Sequence, residues 1–211
     1  MNNQRSLATR REDPEDAKKR RLITYITWKR DVMIRYVHLM SVGWRQPEVR
    51  YSRNFDELLN GKQGLMPKLF RQGVPEPDVI IDCRMFESSE SPIISKILRH
   101  TGHHADIIKD TVEHPKFRPC VRKALDMLHD DVKKDIDLVV LSVCTAGCHR
   151  SVALTLILQS IFERMSYNVR VRHLSSGSWE TRKLRQHCEA CDTNNTLKHA
   201  MFKEAFEKIR K

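Results

Sequence analysis

No stretch of 18 consecutive apolar residues occurs in the chain, which excludes a membrane-spanning helix. The first residues, MNNQRSLATRREDPEDAKKRR, lack an apolar core, so a secretory signal is not expected. Cysteine is sparse: six thiols, at positions 83, 120, 144, 148, 188 and 191, are too few for a disulfide scaffold in 211 residues. They read as reduced thiols in a cytoplasmic or nuclear compartment. A Gly-x4-Gly-Lys-Ser/Thr segment is missing, so nucleotide hydrolysis of the P-loop kind is not expected. An internal repeat is missing too, which excludes a solenoid.

What is present is a globular composition, 40% hydrophobic and 31% charged, with a net charge of +11. That charge is uneven. Residues 1–50 hold 12 basic and 6 acidic side chains, residues 167–211 hold 10 and 5, and residues 51–166 hold 16 of each. The basic excess therefore lies in the two flanks, where it suits nucleic acid or another polyanion, or serves solubility alone.

In the N-terminal flank, Asp13 is a good N-cap, Pro14 suits the first helical position, and Glu15 and Asp16 favour a positive helix end. Leu22, Ile26, Met33, Val37 and Met40 continue at helical steps, so an amphipathic helix is expected to run to Gly43. Lys18, Lys19, Arg20 and Arg21 form a basic cluster on it, either a nuclear import signal or polyanion contact, or a solvated face. Residues 49–55 read as a short strand. Gly61, Gly64, Pro67, Gly73, Pro75 and Pro77 punctuate a loop-rich stretch. Residues 78–84 read as a buried strand, 88–91 as a loop, 93–98 as a short helix, and 115–131 as a helix through Phe117, Val121, Leu125 and Leu128.

Residues 136–143 are apolar enough for a strand buried on both faces. A buried helix follows over 152–161, and Val169 to His173 alternate as a further strand. This succession is a βαβ unit and implies a parallel sheet, whose ligands sit beyond the carboxyl ends of the strands. The segment between strand and helix is Cys144-Thr-Ala-Gly-Cys-His-Arg150-Ser151. A helix start offers backbone N–H groups and a positive dipole end. Gly147 lets the loop curl so that those groups converge. Arg150 adds a planar donor fork, Thr145 and Ser151 add hydroxyls, and His149 adds a donor or a proton carrier. The segment is expected to hold a phosphate group.

Two resemblances follow from these residues. Cys144, Gly147, Arg150 and Ser151 resemble the Cys-x5-Arg-Ser/Thr signature of the cysteine-dependent phosphatases. That implies a thiolate nucleophile at Cys144 and a phosphate clamp at Arg150. Asp110, Asp130 and Asp82 are candidates for the acid, and Val143 precedes the cysteine where those enzymes carry His.

The second resemblance is wider and covers roughly residues 70–175. The chain resembles the C-terminal domain family of the bacterial RNase adapter protein RapZ, whose loop reads Cys-Thr-Gly-Gly-x-His-Arg-Ser-Val. Here Cys144 to Val152 match it, with Ala146 in place of the first Gly. Gly73-Val-Pro75, Asp82-Cys-Arg84, Thr101-Gly102 and Arg172-His173 stand in the family's order. The resemblance implies a regulatory binding module, not an enzyme, that takes an amino-sugar phosphate and small RNA and assembles into homo-oligomers. It implies that Thr145, Gly147, His149 and Arg150 hold the phosphate, within a binding loop that Cys144, Ala146 and Ser151 complete, with Asp82, Arg84, Thr101 and Gly102 lining the pocket. A His that follows the Asp-x-Arg strand in the family has no counterpart among Ser88 to Pro92.

Cys188-x-x-Cys191 supplies half of a tetrahedral zinc site. His187 or His199, or else His173, would complete it; ordinary thiols in a local fold are the alternative. Trp179 with Arg182, Lys183 and Arg185 either stacks on single-stranded nucleic acid or is a Trp partly buried under a basic helix. The expected architecture is a three-layer α/β domain with a mostly parallel sheet over residues 49–175. It is flanked by a basic N-terminal extension with the amphipathic helix (1–48) and a basic C-terminal extension with a terminal helix (176–211). No cofactor is required for this reading beyond the zinc alternative.

Overall fold

The computed structural model describes residues 36–44, 54–62, 64–86, 99–129, 137–184, 188–192 and 194–210. Four strands, β1 (Val37–Gly43), β2 (Val79–Asp82), β3 (Leu138–Cys144) and β4 (Val169–His173), form a wholly parallel sheet in the order β2-β3-β1-β4. Helices α1 (Phe55–Asn60) and α2 (Leu65–Arg71) cover one face. Helices α3 (Ala105–Glu113), α4 (Phe117–Asp126), α5 (Arg150–Arg164) and α7 (Thr196–Arg210) cover the other. A short helix, α6 (Gly177–Thr181), follows β4. The domain is a three-layer α/β fold.

Side-chain alternation divides the core cleanly. Leu39, Ile81, Leu138 and Val140 face α4 and α5, whereas Met40, Val42, Leu141 and Val143 face Leu58, Leu65 and Leu69 of the two short helices. All seven residues of β3 are buried, as a central parallel strand requires. Met201, Ala205 and Ile209 place α7 on the same core as α5, so the terminal helix is part of the domain's packing.

Two expectations change. Val37 and Met40 are not the last turns of a helix. They belong to β1, which is hydrogen-bonded on both sides, to β3 and to β4. In Val37–Gly43 nearly every position is buried, so the steps of three that mimic a helical stripe come from burial on both faces. The rest of the proposed helix, with the cluster Lys18 to Arg21, lies outside the described residues, as do the proposed helix over 93–98 and the loop over 88–91. The β3–α5–β4 crossover is parallel as expected, and it passes over β1, which stands between the two strands. Second, the Gly- and Pro-punctuated stretch contains α2 and begins at the C-cap of α1. Gly64 is the N-cap of α2, and Pro67 sits in its first turn, where a missing N–H costs no helical hydrogen bond. The proposed strand over 49–55 lies mostly outside the described residues, and Phe55 itself opens α1 under an Asn54 cap.

Candidate phosphate-binding site

The connection from β1 leads over one face of the sheet and that from β3 over the other, so a crevice forms where the carboxyl ends of these two strands lie side by side. The segment 144–151 fills that position. Its floor is the sulfur of Cys144, which is buried, accepts the Gly147 N–H at 3.1 Å and lies 3.1 Å from Ser151 Oγ. Gly147 adopts φ +67, the left-handed conformation that glycine tolerates, and this folds the N–H inward onto the sulfur. His149 is the N-cap of α5, with no side-chain cap hydrogen bond, and no acidic residue occupies the first turn. The positive end of this 15-residue helix is therefore not neutralised by its own side chains.

Arg150 opens α5, and its Nη1 donates to the Arg84 carbonyl oxygen at 3.1 Å. This ties the loop to the end of β2. There Arg84 meets the Asp82 carboxylate through Nε, at 3.0 and 3.1 Å, and through Nη2 at 2.9 Å, while its own backbone N–H is capped by the same carboxylate at 2.9 Å. Asp82, Arg84 and Arg150 thus come together at the end of β2. The Asp82 carboxylate, held this way, orients the Arg84 guanidinium. Asp110 lies on α3 with its carboxyl pushed above the ordinary range by burial and by the neighbouring Asp106 and Glu113. Asp130 lies outside the described residues.

Thr101 and Gly102 support the loop from beneath. Gly102 N–H donates to the Cys148 carbonyl at 2.6 Å, and Thr101 is wholly buried with its hydroxyl 2.9 Å from His103 Nδ1. Thr145 and Ala146 are partly exposed at the rim.

Several residues that shape the site lie outside the loop and were given other roles, or none, by the sequence. Gly43, at the end of β1, packs against the backbone of Ala146 and Gly147, and its N–H donates to Ser175 Oγ at 2.9 Å. Trp179 is buried, and its Nε1–H donates to the Gly147 carbonyl at 3.2 Å; it is a wall of the loop and not a stacking platform for bases. Arg182 Nη1 donates to the Ala146 carbonyl at 3.0 Å. His103 and His173 pack edge to face against each other and both against Trp179. Burial, reinforced by His173 and Lys198, pulls His103 down to about 4, and burial lowers His173 as well, so both rings are neutral near pH 7. Ser41 Oγ holds His173 Nδ1 at 2.7 Å.

Beside the loop, beyond the carboxyl ends of β1 and β4, opens a cleft of about 550 Å³. Gly43, Trp44, Lys68, Ala146, Ser175 and Arg182 are among its lining residues. Lys68 Nζ lies 4.4 Å from the centroid of the Trp44 ring, which keeps a cation at the cleft wall.

Of the cysteine and histidine residues considered for zinc, Cys188 is the N-cap and Cys191 the last residue of the short 3-10 turn Glu189–Cys191, His187 lies outside the described residues, and His199 is exposed on α7. Among the described residues, no helix is long and apolar enough to cross a membrane.

The profile of the RapZ C-terminal domain family matches residues 69–176. A "Nucleotide-binding protein" of Syntrophomonas wolfei subsp. wolfei is 29% identical over 133 residues, which are 60% of this chain and 44% of that protein. The chain thus spans less than half of that relative's length.

Proposed function

The chain belongs to the RapZ C-terminal domain family, and from that premise we propose that it is a regulatory binding module that recognises a phosphorylated ligand through the loop at residues 144–151. The observation that carries this reading is the start of α5: a long helix whose positive end has no capping side chain and no acidic residue, begins on Arg150, and is fed by a Gly147 turn. The ligand class proposed first is a small sugar phosphate, with its phosphate on the loop and the remainder in the adjoining cleft, whose volume suits a metabolite. RNA is the second ligand class, supported by the basic flanks. The Syntrophomonas wolfei relative is named a nucleotide-binding protein, which extends the proposed class to nucleotides. Assembly into homo-oligomers belongs to the same proposal, and light scattering on the full chain tests it.

Calorimetry against a panel of sugar phosphates and nucleotides tests the central claim. Arg150→Ala is expected to weaken binding by about 10- to 100-fold, as loss of a charge-assisted donor pair does. A wild-type protein that binds none of the panel would sink the small-ligand reading. For RNA, affinity is expected to fall steeply with salt, and a salt-insensitive gel shift would leave the flanks as solubility devices.

One observation favours a second reading. Cys144 Sγ receives the Gly147 N–H and adjoins the Ser151 hydroxyl, an arrangement that also suits a phosphatase thiolate. Against it, Cys144 is only 4% exposed, so attack on a phosphate requires the loop to open. Turnover of an aryl phosphate that disappears in Cys144→Ser would establish the enzyme; no turnover between pH 5 and 8 would dismiss it.

A further inference from the structure

Two pairs of side chains that the phosphate site does not use meet beside the turn at residues 101–102. Cys188 and Cys191 are separated by two residues, His100 and His104 by three. His100 Nδ1 stands 3.6 Å from Cys188 Sγ and 3.5 Å from Cys191 Sγ. Ligand atoms of His100, His104 and Cys188 all lie within 4.8 Å of one another, and the two imidazole rings meet edge to face with centroids 4.6 Å apart.

A tetrahedral zinc ion with Zn–S near 2.3 Å and Zn–N near 2.0–2.1 Å places its sulfur and nitrogen ligands roughly 3.6 Å apart. Both His100–sulfur separations have that length. The His104 ring is the looser corner, and an ångström-scale swing of its side chain closes the set. We propose that His100, His104, Cys188 and Cys191 bind a structural zinc ion. Two thiolates and two imidazoles select zinc over the hard cations, and four protein donors leave no position open for catalysis. The Cys-x2-Cys and His-x3-His spacings are those of structural Cys2His2 sites, here with the histidine pair first in the chain.

Local structure supports the assignment independently of distance. The 3-10 turn closes through the Cys191 N–H to the Cys188 carbonyl at 2.8 Å, which brings both sulfurs to one side of the chain. Lys198 is buried beside the turn, and its Nζ donates to the Cys191 carbonyl at 3.1 Å, placing a cation next to two groups that become anionic on metal binding. The site's consequence is mechanical. His100 and His104 bracket Thr101 and Gly102, and Gly102 holds the Cys148 carbonyl. The metal would fasten the segment 188–192 to the turn that braces the underside of the phosphate loop.

The test uses the full chain purified without added metal, dialysed and measured by plasma mass spectrometry. One zinc per chain is expected. Cys188→Ser combined with Cys191→Ser, and separately His100→Asn, are expected to lose it, whereas His199→Asn retains it. Should those variants fail to fold, the wild type still decides the matter. Replacement of its zinc by cobalt(II) is expected to produce the intense visible bands of a tetrahedral site and a thiolate charge-transfer band. A wild-type chain with neither zinc nor tetrahedral cobalt overturns the proposal, as does full zinc retention in the folded cysteine-pair variant.

Discussion

A methyl group placed on Gly43 has no room. Built on the backbone, it would lie 2.6 Å from the Ala146 carbonyl oxygen and closer still to the Gly147 nitrogen, where real Cβ atoms essentially never come within 3.0 Å. Every one of these neighbours is backbone, so no side chain can swing aside. Either β1 or the loop at 144–147 must shift, and β1 is held on both sides by strands. The loop is therefore the part expected to move, carrying Gly147 off the Cys144 sulfur. Overpacking of this kind costs about 1–3 kcal/mol, and the rigid surroundings place Gly43→Ala in the upper part of that range. For a chain of this size that corresponds to a fall in Tm of roughly 4–10 °C. Two other glycines calibrate the measurement. At Gly177 nothing lies within 4 Å of an added methyl, so alanine is expected to change stability by less than about 0.5 kcal/mol. At Gly73 the space is also open but φ is +68, so alanine is expected to cost about 1 kcal/mol through backbone strain alone. Urea unfolding of the three variants should rank them Gly43, Gly73, Gly177 from most to least damaging. Equal midpoints for Gly43→Ala and Gly177→Ala would refute the seating of the loop on β1. If Gly43→Ala destabilises the chain and leaves sugar-phosphate binding intact, the loop is not where the phosphate sits.

Two further outcomes follow from the wall behind the loop. Trp179→Phe keeps most of the buried ring and removes the donor to Gly147, so it is expected to cost about 1 kcal/mol in urea unfolding, against about 3–5 kcal/mol for Trp179→Ala. Equal costs for the two would mean that the hydrogen bond dominates and the packing does not. His173 is lowered by burial from its ordinary value of about 6.5, so the unfolded chain takes up its proton at a higher pH than the folded one. Its contribution is complete above about pH 6.5 and is lost as the pH falls through the window below. His173→Asn, which cannot titrate, should give a shallower acid-side loss of stability than the wild type; His103 retains a slope of the same sign. An unchanged pH profile would refute the burial of the imidazole.

The features legible in the sequence are those whose cause is local. The loop could be read whole because its donors are contiguous and its glycine, arginine and hydroxyls each have one obvious use. Strands β3 and β4 and helices α4, α5 and α7 were legible because their periodicity reports which face is buried. β1 was not: a strand apolar on both faces has no alternation, and Val37 and Met40 fall three apart by coincidence. Helices α1 and α2 were hidden by glycines and a proline that in fact mark their ends. The remaining misses are non-local. Gly43 and Ser175 are 132 residues apart, and His100 lies 88 and 91 residues from its two sulfur neighbours, so only the completed sheet brings them together. The zinc ligands proposed above are non-local in the same way: nearness in the chain points to His187, His199 or His173, whereas the proposed set draws on His100 and His104.

The strand order also governs what can be cut from this chain. β3 and β4 make no ladder with one another; each is stitched to β1. The segment that matches the family, residues 69–176, contains β2, β3 and β4 but lacks the strand that joins the last two. Expressed by itself, that segment would carry an open slot down the middle of its sheet, with the unpaired backbone edges of β3 and β4 facing each other across it. Such a slot invites any extended segment, including one from another copy, to slide in and complete the ladder. A fragment beginning at residue 69 would therefore be aggregation-prone or obliged to borrow a strand, and the smallest self-sufficient unit must begin before Val37.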